Sequence, residues 1–324
     1  MRKFVAASIF YLLTILLFPV TLLGYVIWIG RLLTQRQSGV SATAQGPLSA
    51  RWVQHQLGTR RDEAAHRLLM VLPGVSPLAV RFVFGPVLLA HRLSGYVPPT
   101  FRYPFEGEIS LQNQASARQT FYDSVVHWYL PDVAQFVILG AGFDTRAFQL
   151  PDTTQVRAFE VDTPKTLTIK QAVLEKAQVD PAGVTFVAVD FEQGGWLNRL
   201  VAAGFEADKP ALFLWEGVTP YLDRSAVEDT LREIASLAQG SVIAFDYFTT
   251  EVLESQSLYL RMVRASLRVG GEPLKFGINS TPPSRAHLTE LLQLCGLLLV
   301  EQRTVGKEIG GKRAWGGFAI AIVP

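Results

Sequence analysis

Residues Phe136–Phe148, FVILGAGFDTRAF, decide the fold. An apolar, partly β-branched run enters Gly140-Ala141-Gly142 and leaves through polar residues that suit the start of a helix, expected to open at about Asp144. A parallel strand hands its backbone to a nucleotide-like ligand in this way. Glycines let the main chain approach without a Cβ clash, and the first N–H groups of a following helix are unpaired. The next apolar run, Arg157–Val161, ends at Asp162, and a carboxylate after the second strand can take both hydroxyls of a ribose. Two glycines after a strand also make an ordinary tight turn, so the surrounding sequence has to decide.

The surroundings alternate. Ser110–Tyr129 reads as a helix with Phe121, Val125 and Trp128 on one face. Strands are expected at Phe136–Leu139, Arg157–Val161, Thr185–Val189, Ala211–Trp215 and Ser241–Asp246, with helices at Pro164–Ala177 and Ser225–Leu237 between them. Pro164 stands near a helix start, where its missing N–H does no harm. This order implies a parallel sheet covered by helices, with ligands beyond the carboxyl ends of the strands. Asp162, Asp190 and Glu216 all fall there. After a helix over Ser284–Leu294, two β-like runs, Leu297–Val305 and Ala314–Val323, are joined by the glycine-rich GKEIGGKR, which suits a hairpin.

A dinucleotide fingerprint would place a third glycine where Thr145 stands. No tyrosine of the chain has a lysine four positions later, the spacing used for proton transfer by one group of oxidoreductases. A Rossmann NAD(P)-dependent oxidoreductase is therefore only an alternative reading, beside a catalytically inactive membrane-tethered scaffold.

The chain has 324 residues and a net charge of +2, with its basic residues scattered, so no nucleic-acid partner is expected. The single cysteine, Cys295, lies in LLQLCGLLLV and reads as buried filler, which rules out an intrachain disulfide and a zinc framework. The His residues at 55, 66 and 287 show no metal-binding or nucleophilic arrangement, and no metal site is expected.

Mean hydropathy is +0.22, raised by the N-terminus. Phe4–Gly30 is apolar and uncharged, long enough as one helix to cross a hydrocarbon core of about 30 Å, with a kink expected at Pro19. A transmembrane anchor over 1–34 is the expectation. Arg31, Arg36, Arg51, Arg60 and Arg61 follow it and only Arg2 and Lys3 precede it, which puts the catalytic domain on the cytoplasmic side. Residues 35–105 read as linker and helical, hydrophobic cap: a polar linker over Ser38–Ala50 and an amphipathic helix over Arg51–Leu72. The apolar stretch Val71–Leu93 follows, where Pro73, Pro77, Pro86 and Arg81 argue against a second simple span. It suits a surface-lying membrane contact, a pocket wall or buried core.

The segments ILGAGFDTRAF, FEVDTPKTLTIKQ, VAVDF, LWEGVTPYL and GEPLKFGI, in this order from about Ser110 to the C-terminus, resemble those of the leucine carboxyl methyltransferase family. The resemblance implies a class I methyltransferase-like Rossmann sheet over 106–324, S-adenosyl-L-methionine as cofactor, and O-methyl transfer. Arg118, in ASARQTFYDSVV, resembles the family arginine that pairs with the methionine carboxylate. Gly140 and Gly142 would lie under the methionine and ribose. Asp162 resembles the ribose acid, with Glu160 as a second candidate. Asp190 and Phe191 resemble the pair on the adenine, and Glu216 stands where the family meets the methionine amino group. The family often shows RTRFFDD where this chain has SARQTFYDS, so the entrance near Gln119 and Ser124 is expected to differ.

A carboxylate acceptor needs no base, whereas a hydroxyl does. Candidate bases are His127 and Tyr221, with His91 and Asp123 behind them. An anchored enzyme with an apolar entry segment suggests an apolar or membrane-associated small-molecule acceptor. The insertion at about 249–283 is expected to close over the site as a lid.

Overall fold

The computed structural model describes residues 2–34, 42–151, 154–181, 183–269 and 271–324. The chain divides into two compact units: residues 1–106 with 143–145 and 168–181, and residues 107–142, 146–167 and 182–324.

In the first unit, the expected single N-terminal helix is two helices. These are α1 (Arg2–Leu16) and α2 (Phe18–Thr34), bent by 55° at Leu17. Pro19 supplies the cause. It has no N–H to give, and the next donors turn back early, with Val20 N–H bonding the Leu17 carbonyl at 3.0 Å. No single helix among the described residues is long and apolar enough to cross a membrane; the bent pair passes that test only when taken together.

The expected helix over Arg51–Leu72 is also two, α3 (Ala42–Gln56) and α4 (Glu63–Val71). Gly58, at φ +69°, ends the first, and the Asp62 carboxylate caps the second by accepting Ala65 N–H at 2.9 Å. α3 takes up most of the expected linker; residues 38–41 of that linker, and Arg36, lie outside the described residues. α5 (Pro77–Ser94) starts on a Ser76 cap with Pro77 in its first turn and ends at Gly95 in the left-handed region. It continues through Pro86, which is buried inside it.

The second unit holds a seven-stranded sheet: β1 (Gln135–Leu139), β2 (Arg157–Asp162), β3 (Val184–Ala188), β4 (Ala211–Trp215), β5 (Val242–Phe248), β6 (Leu298–Val305) and β7 (Gly316–Ile322). Their order is β3-β2-β1-β4-β5-β7-β6. The first five are parallel, and β7 runs antiparallel between β5 and β6. This is the class I methyltransferase-like α/β sheet with its C-terminal hairpin. The order reverses between β1 and β4, the switch point at which such sheets take ligands.

Alternation along the strands sends Val137, Phe159, Phe213 and Ile243 to one face. They meet Trp196 and Leu200 from one helix (Trp196–Ala202), Val227 and Leu231 from another (Arg224–Ala235), and Leu288 and Leu292 from a third (Ser284–Leu294). On the other face lies α6 (Gln114–Tyr129), whose Phe121 stacks on Phe318 and whose Tyr122 bonds the Trp215 carbonyl at 3.1 Å. The packed stripe of α6 ends at Val125. Trp128, expected on it, is 70% exposed. Within the insertion at 249–283, Thr250–Glu254 and Leu258–Val269 are helical, while Phe276 and Ile278 are buried in the core.

Candidate functional site

The glycine turn follows β1 as the sequence requires. Gly140 (φ +63°) and Gly142 (φ +46°) occupy the left-handed region. A Cβ on Gly140 would sit 2.3 Å from Val218 Cγ2. Gly142 donates its N–H to Asp162 Oδ2 at 2.7 Å, and Thr163 N–H reaches Oδ1 at 2.6 Å. Asp162 is therefore held at the turn. It does not cap the next helix, whose Thr166 N–H bonds Thr163 Oγ1 at 3.3 Å.

No α-helix opens at Asp144. Residues Arg146–Gln149 form only a short 3₁₀ turn, so the expected row of helix N–H groups is absent there. The reason lies in the first unit. Arg51, 1% exposed, grips both oxygens of Asp144 at 2.9 and 2.8 Å. Thr145 donates to Asp62 at 2.9 Å, and the buried Lys170 donates to the Asp144 carbonyl at 2.9 Å. Asp144 is committed to a bidentate ion pair.

Beyond the carboxyl ends of β4 and β5 stands a second group of charges. Arg118, on α6, pairs through Nη2 with Asp246 Oδ2 at 3.2 Å. Asp246 also accepts Gly217 N–H at 2.6 Å and faces Tyr122 Oη at 3.4 Å. Arg146 joins Asp123 through Nε and Glu216 through Nη1, each at 2.7 Å, with its guanidinium over the Tyr122 ring. Burial opposes the charge on Arg118, but the carboxylates of Asp246 and Glu216 outweigh it and raise its pKa. Burial also raises the Asp246 carboxyl, with Arg118 and the Gly217 N–H working against it. Tyr122 is pushed well up by burial first and by Asp246 and Glu216 next, so it stays protonated.

Nε of Arg118 is buried and has no hydrogen-bond partner among the described residues. A buried donor of this kind asks for an acceptor. Arg118 and Asp246 line a small recess open to solvent together with Gln114, Tyr247, Phe248 and Trp315. A cation with a spare donor beside buried carboxylates fits a zwitterionic amino-acid group, such as the methionine end of S-adenosylmethionine.

The structure thus brings Arg118, Asp246, Glu216 and Arg146 together, and places Gly140, Gly142 and Asp162 at the end of β1 and β2. Asp190 follows β3, where it caps a short turn by accepting Glu192 N–H at 3.0 Å and is also bonded by Gln193. Phe191 packs on Trp196 and Trp215 inside the core. Glu160, in β2, is fully buried. His127 is not brought to the site. It is exposed in the last turn of α6, edge-on to Trp128, and nine residues from Arg118 amount to about 14 Å along a helix. His91 belongs to the first unit, in α5, with Nδ1 3.1 Å from the Tyr96 carbonyl. Asp123 is committed to Arg146. Tyr221 is half-buried in the turn after β4, close enough to raise the Arg118 pKa.

Arg146 and Asp246 were not foreseen as site residues. Arg146 stands inside the quoted FDTRAF, but an arginine two residues past an expected helix start looks solvated. Asp246, in VIAFDYF, is an acid ending an apolar strand, the same signal that marked Asp162 and Glu216.

Tyr247, beside the recess, carries a prediction about pH. Burial pushes its phenol up to about 12. In the unfolded chain a phenol ionises near pH 10. The stabilisation from burying it neutral is present below pH 10 and lost as pH rises through about 12. Urea midpoints measured from pH 9 to 12 are expected to fall less steeply in Tyr247→Phe, by about 2–3 kcal/mol across that window.

Residues 105–235 match the leucine carboxyl methyltransferase family. A putative S-adenosyl-L-methionine-dependent methyltransferase of Mycobacterium marinum is 36% identical over 163 residues, 49% of this chain and 51% of that protein. Another, from Mycolicibacterium smegmatis, is 36% identical over 176 residues, 52% of each chain. The chain spans about half the length of these curated relatives. Magnesium protoporphyrin IX methyltransferase from Synechocystis, solved with bound SAH, is 14% identical with a TM-score of 0.41, covering 68% of this chain and 91% of its own. The leucine carboxyl methyltransferase family is thus what residues 105–235 of this chain resemble.

Proposed function

We propose that the protein is an S-adenosylmethionine-dependent O-methyltransferase acting on a carboxylate or hydroxyl of an apolar, membrane-associated small molecule, with its catalytic unit on the cytoplasmic side. The observation that carries the reading is the Arg118–Asp246 and Arg146–Glu216 group at the carboxyl ends of the strands. The matching family segment and the names of the relatives support it.

Bound cofactor would supply an activated methyl on a sulfonium. The chain supplies positioning. Arg118 would take the methionine carboxylate through its spare Nε donor. Glu216, held by Arg146, would face the amino group. Asp162, fixed by the N–H groups of Gly142 and Thr163, would meet the ribose, while Asp190 and Phe191 would flank the adenine. An acceptor oxygen must then be held about 3–3.5 Å from the methyl, in line with the bond that breaks.

Among the candidate bases, His127 is remote, His91 lies in α5 beside the Tyr96 carbonyl and Asp123 is bound to Arg146. This favours an acceptor that is already ionised, a carboxylate, with Tyr221 as the base in the hydroxyl case. The helices of the 249–283 insertion, with Leu258 and Met262 exposed, would form the lid. Incubation with S-adenosylmethionine bearing a deuterated methyl, against a lipid extract and against soluble metabolites, tests the reading by mass spectrometry. The expected label is in the lipid fraction and is released by alkali, as an ester is. Label confined to the soluble pool contradicts the acceptor class, and binding without turnover contradicts catalysis in favour of a scaffold.

A further inference from the structure

The first unit carries a surface that its own packing does not explain. Phe4, Leu12, Ile15 and Leu16 on α1, and Phe18 and Val26 on α2, are all exposed, Phe4 by 77% and Leu16 by 72%. Leu78, Leu89 and Leu93 of α5 are exposed with them. A patch of this extent marks an interaction site.

The opposite sides of the same helices are well matched. A Cβ on Gly24 would lie 2.7 Å from Val83 N, so α2 and α5 cross almost in backbone contact. Trp28 meets Phe84 edge-on. At the other end of α5, Tyr96 meets Phe10 and Tyr11. α5 therefore runs antiparallel to the bent pair along much of its length, one side of the three helices packed and the other bare.

Charge indicates what covers the bare side. Residues 1–105 hold eleven lysines and arginines against two acids, Asp62 and Glu63, whereas 106–324 hold nineteen against twenty-six. Both acids of the first stretch are engaged, Asp62 by Arg60 and Glu63 by Arg67. No charge interrupts Phe4–Gly30, and Arg2, Lys3, Arg31, Arg81 and Arg92 are exposed around the apolar residues. Apolar centre and basic rim together are the complement of an anionic lipid surface.

Dimensions decide how it sits. Arg81 and Arg92 are separated by about 16 Å along α5, too little to place both at opposite headgroup layers of a core about 30 Å thick. α1 and α2, at 15 and 17 residues, are each about 23–26 Å long and bent apart. Both lie along α5. We propose that α1, α2 and α5 form a monotopic seat, lying in one leaflet of an anionic bilayer without crossing it. This replaces the single span expected from the sequence and does not depend on the methyl-transfer reading.

The test uses the full chain, made by cell-free synthesis with vesicles of phosphatidylcholine alone or with phosphatidylglycerol, and recovered by flotation. Flotation is expected with the anionic vesicles, and loss of each rim arginine is expected to weaken it about fivefold. Leu12→Glu with Leu16→Glu, both exposed, is expected to abolish it while the circular dichroism melt is unchanged. In a Cys295→Ser background, Lys3→Cys and Arg61→Cys are each expected to react fully with a membrane-impermeant maleimide added outside intact vesicles. Protection of one of the two until the vesicles are opened means a span and overturns the proposal. So does equal flotation with neutral vesicles, or a chain that stays unbound because protein covers the face.

Discussion

Arg118→Ala is expected to weaken S-adenosylmethionine binding by roughly one hundredfold or more, the scale for removing one partner of a buried, hydrogen-bonded charge pair. The argument rests on placement. The guanidinium projects from α6 over the carboxyl ends of β4 and β5, one amino group on Asp246 and Nε unpartnered among the described residues. A carboxylate arriving in the recess would find a cation already oriented by protein, with little side-chain freedom left to lose. Arg118→Lys keeps the charge and loses the planar fork, so it should recover only part of the affinity. Because Asp246 also loses its partner in these variants, thermal midpoints need to be compared beside the titrations. A hundredfold loss in a protein that still melts cooperatively is the expected pattern, and unchanged affinity would remove Arg118 from the site.

The largest effect on stability is expected at Arg146. Its side chain, 4% exposed, is shared by Asp123 and Glu216. Arg146→Met would leave two carboxylates facing each other across an apolar stem beside Tyr122. Removing one partner of a buried pair costs about 3–5 kcal/mol, and the shift in urea midpoint at constant m-value would read it. A loss under 1 kcal/mol would show that solvent reaches these groups and that their burial does not set their energetics.

The sheet was legible because parallel strands buried on both faces read as short apolar runs, and each here ends at an acid or a glycine. β1, β2 and β4 lie within a residue or so of their expected bounds. The hairpin was legible from the glycines of GKEIGGKR. Three features were not. The break at Leu17 lies two residues before Pro19, because a proline opens the turn that precedes it. α3 swallowed an apparent linker because SATAQGPLSA is made of small residues that tolerate a helix as readily as a loop. The helix expected at Asp144 failed on a partner 93 residues away, Arg51. A bidentate ion pair of that range leaves no trace in local pattern, and the same holds for Arg146. Of the site residues, the acids at strand ends were readable from position alone. The resemblance was needed to single out Arg118 from other helix arginines, and Asp190 accepts the cap bonds of its own short turn.

The central claim is that the carboxyl ends of β1, β2 and β4 hold S-adenosylmethionine, and calorimetric titration tests it most directly. The protein should bind that cofactor in the micromolar range common to enzyme ligands, with no heat from NADPH, and both Asp162→Ala and Gly142→Val should lose the signal. Saturable binding of NADPH in its place, or affinity untouched by either substitution, would contradict it.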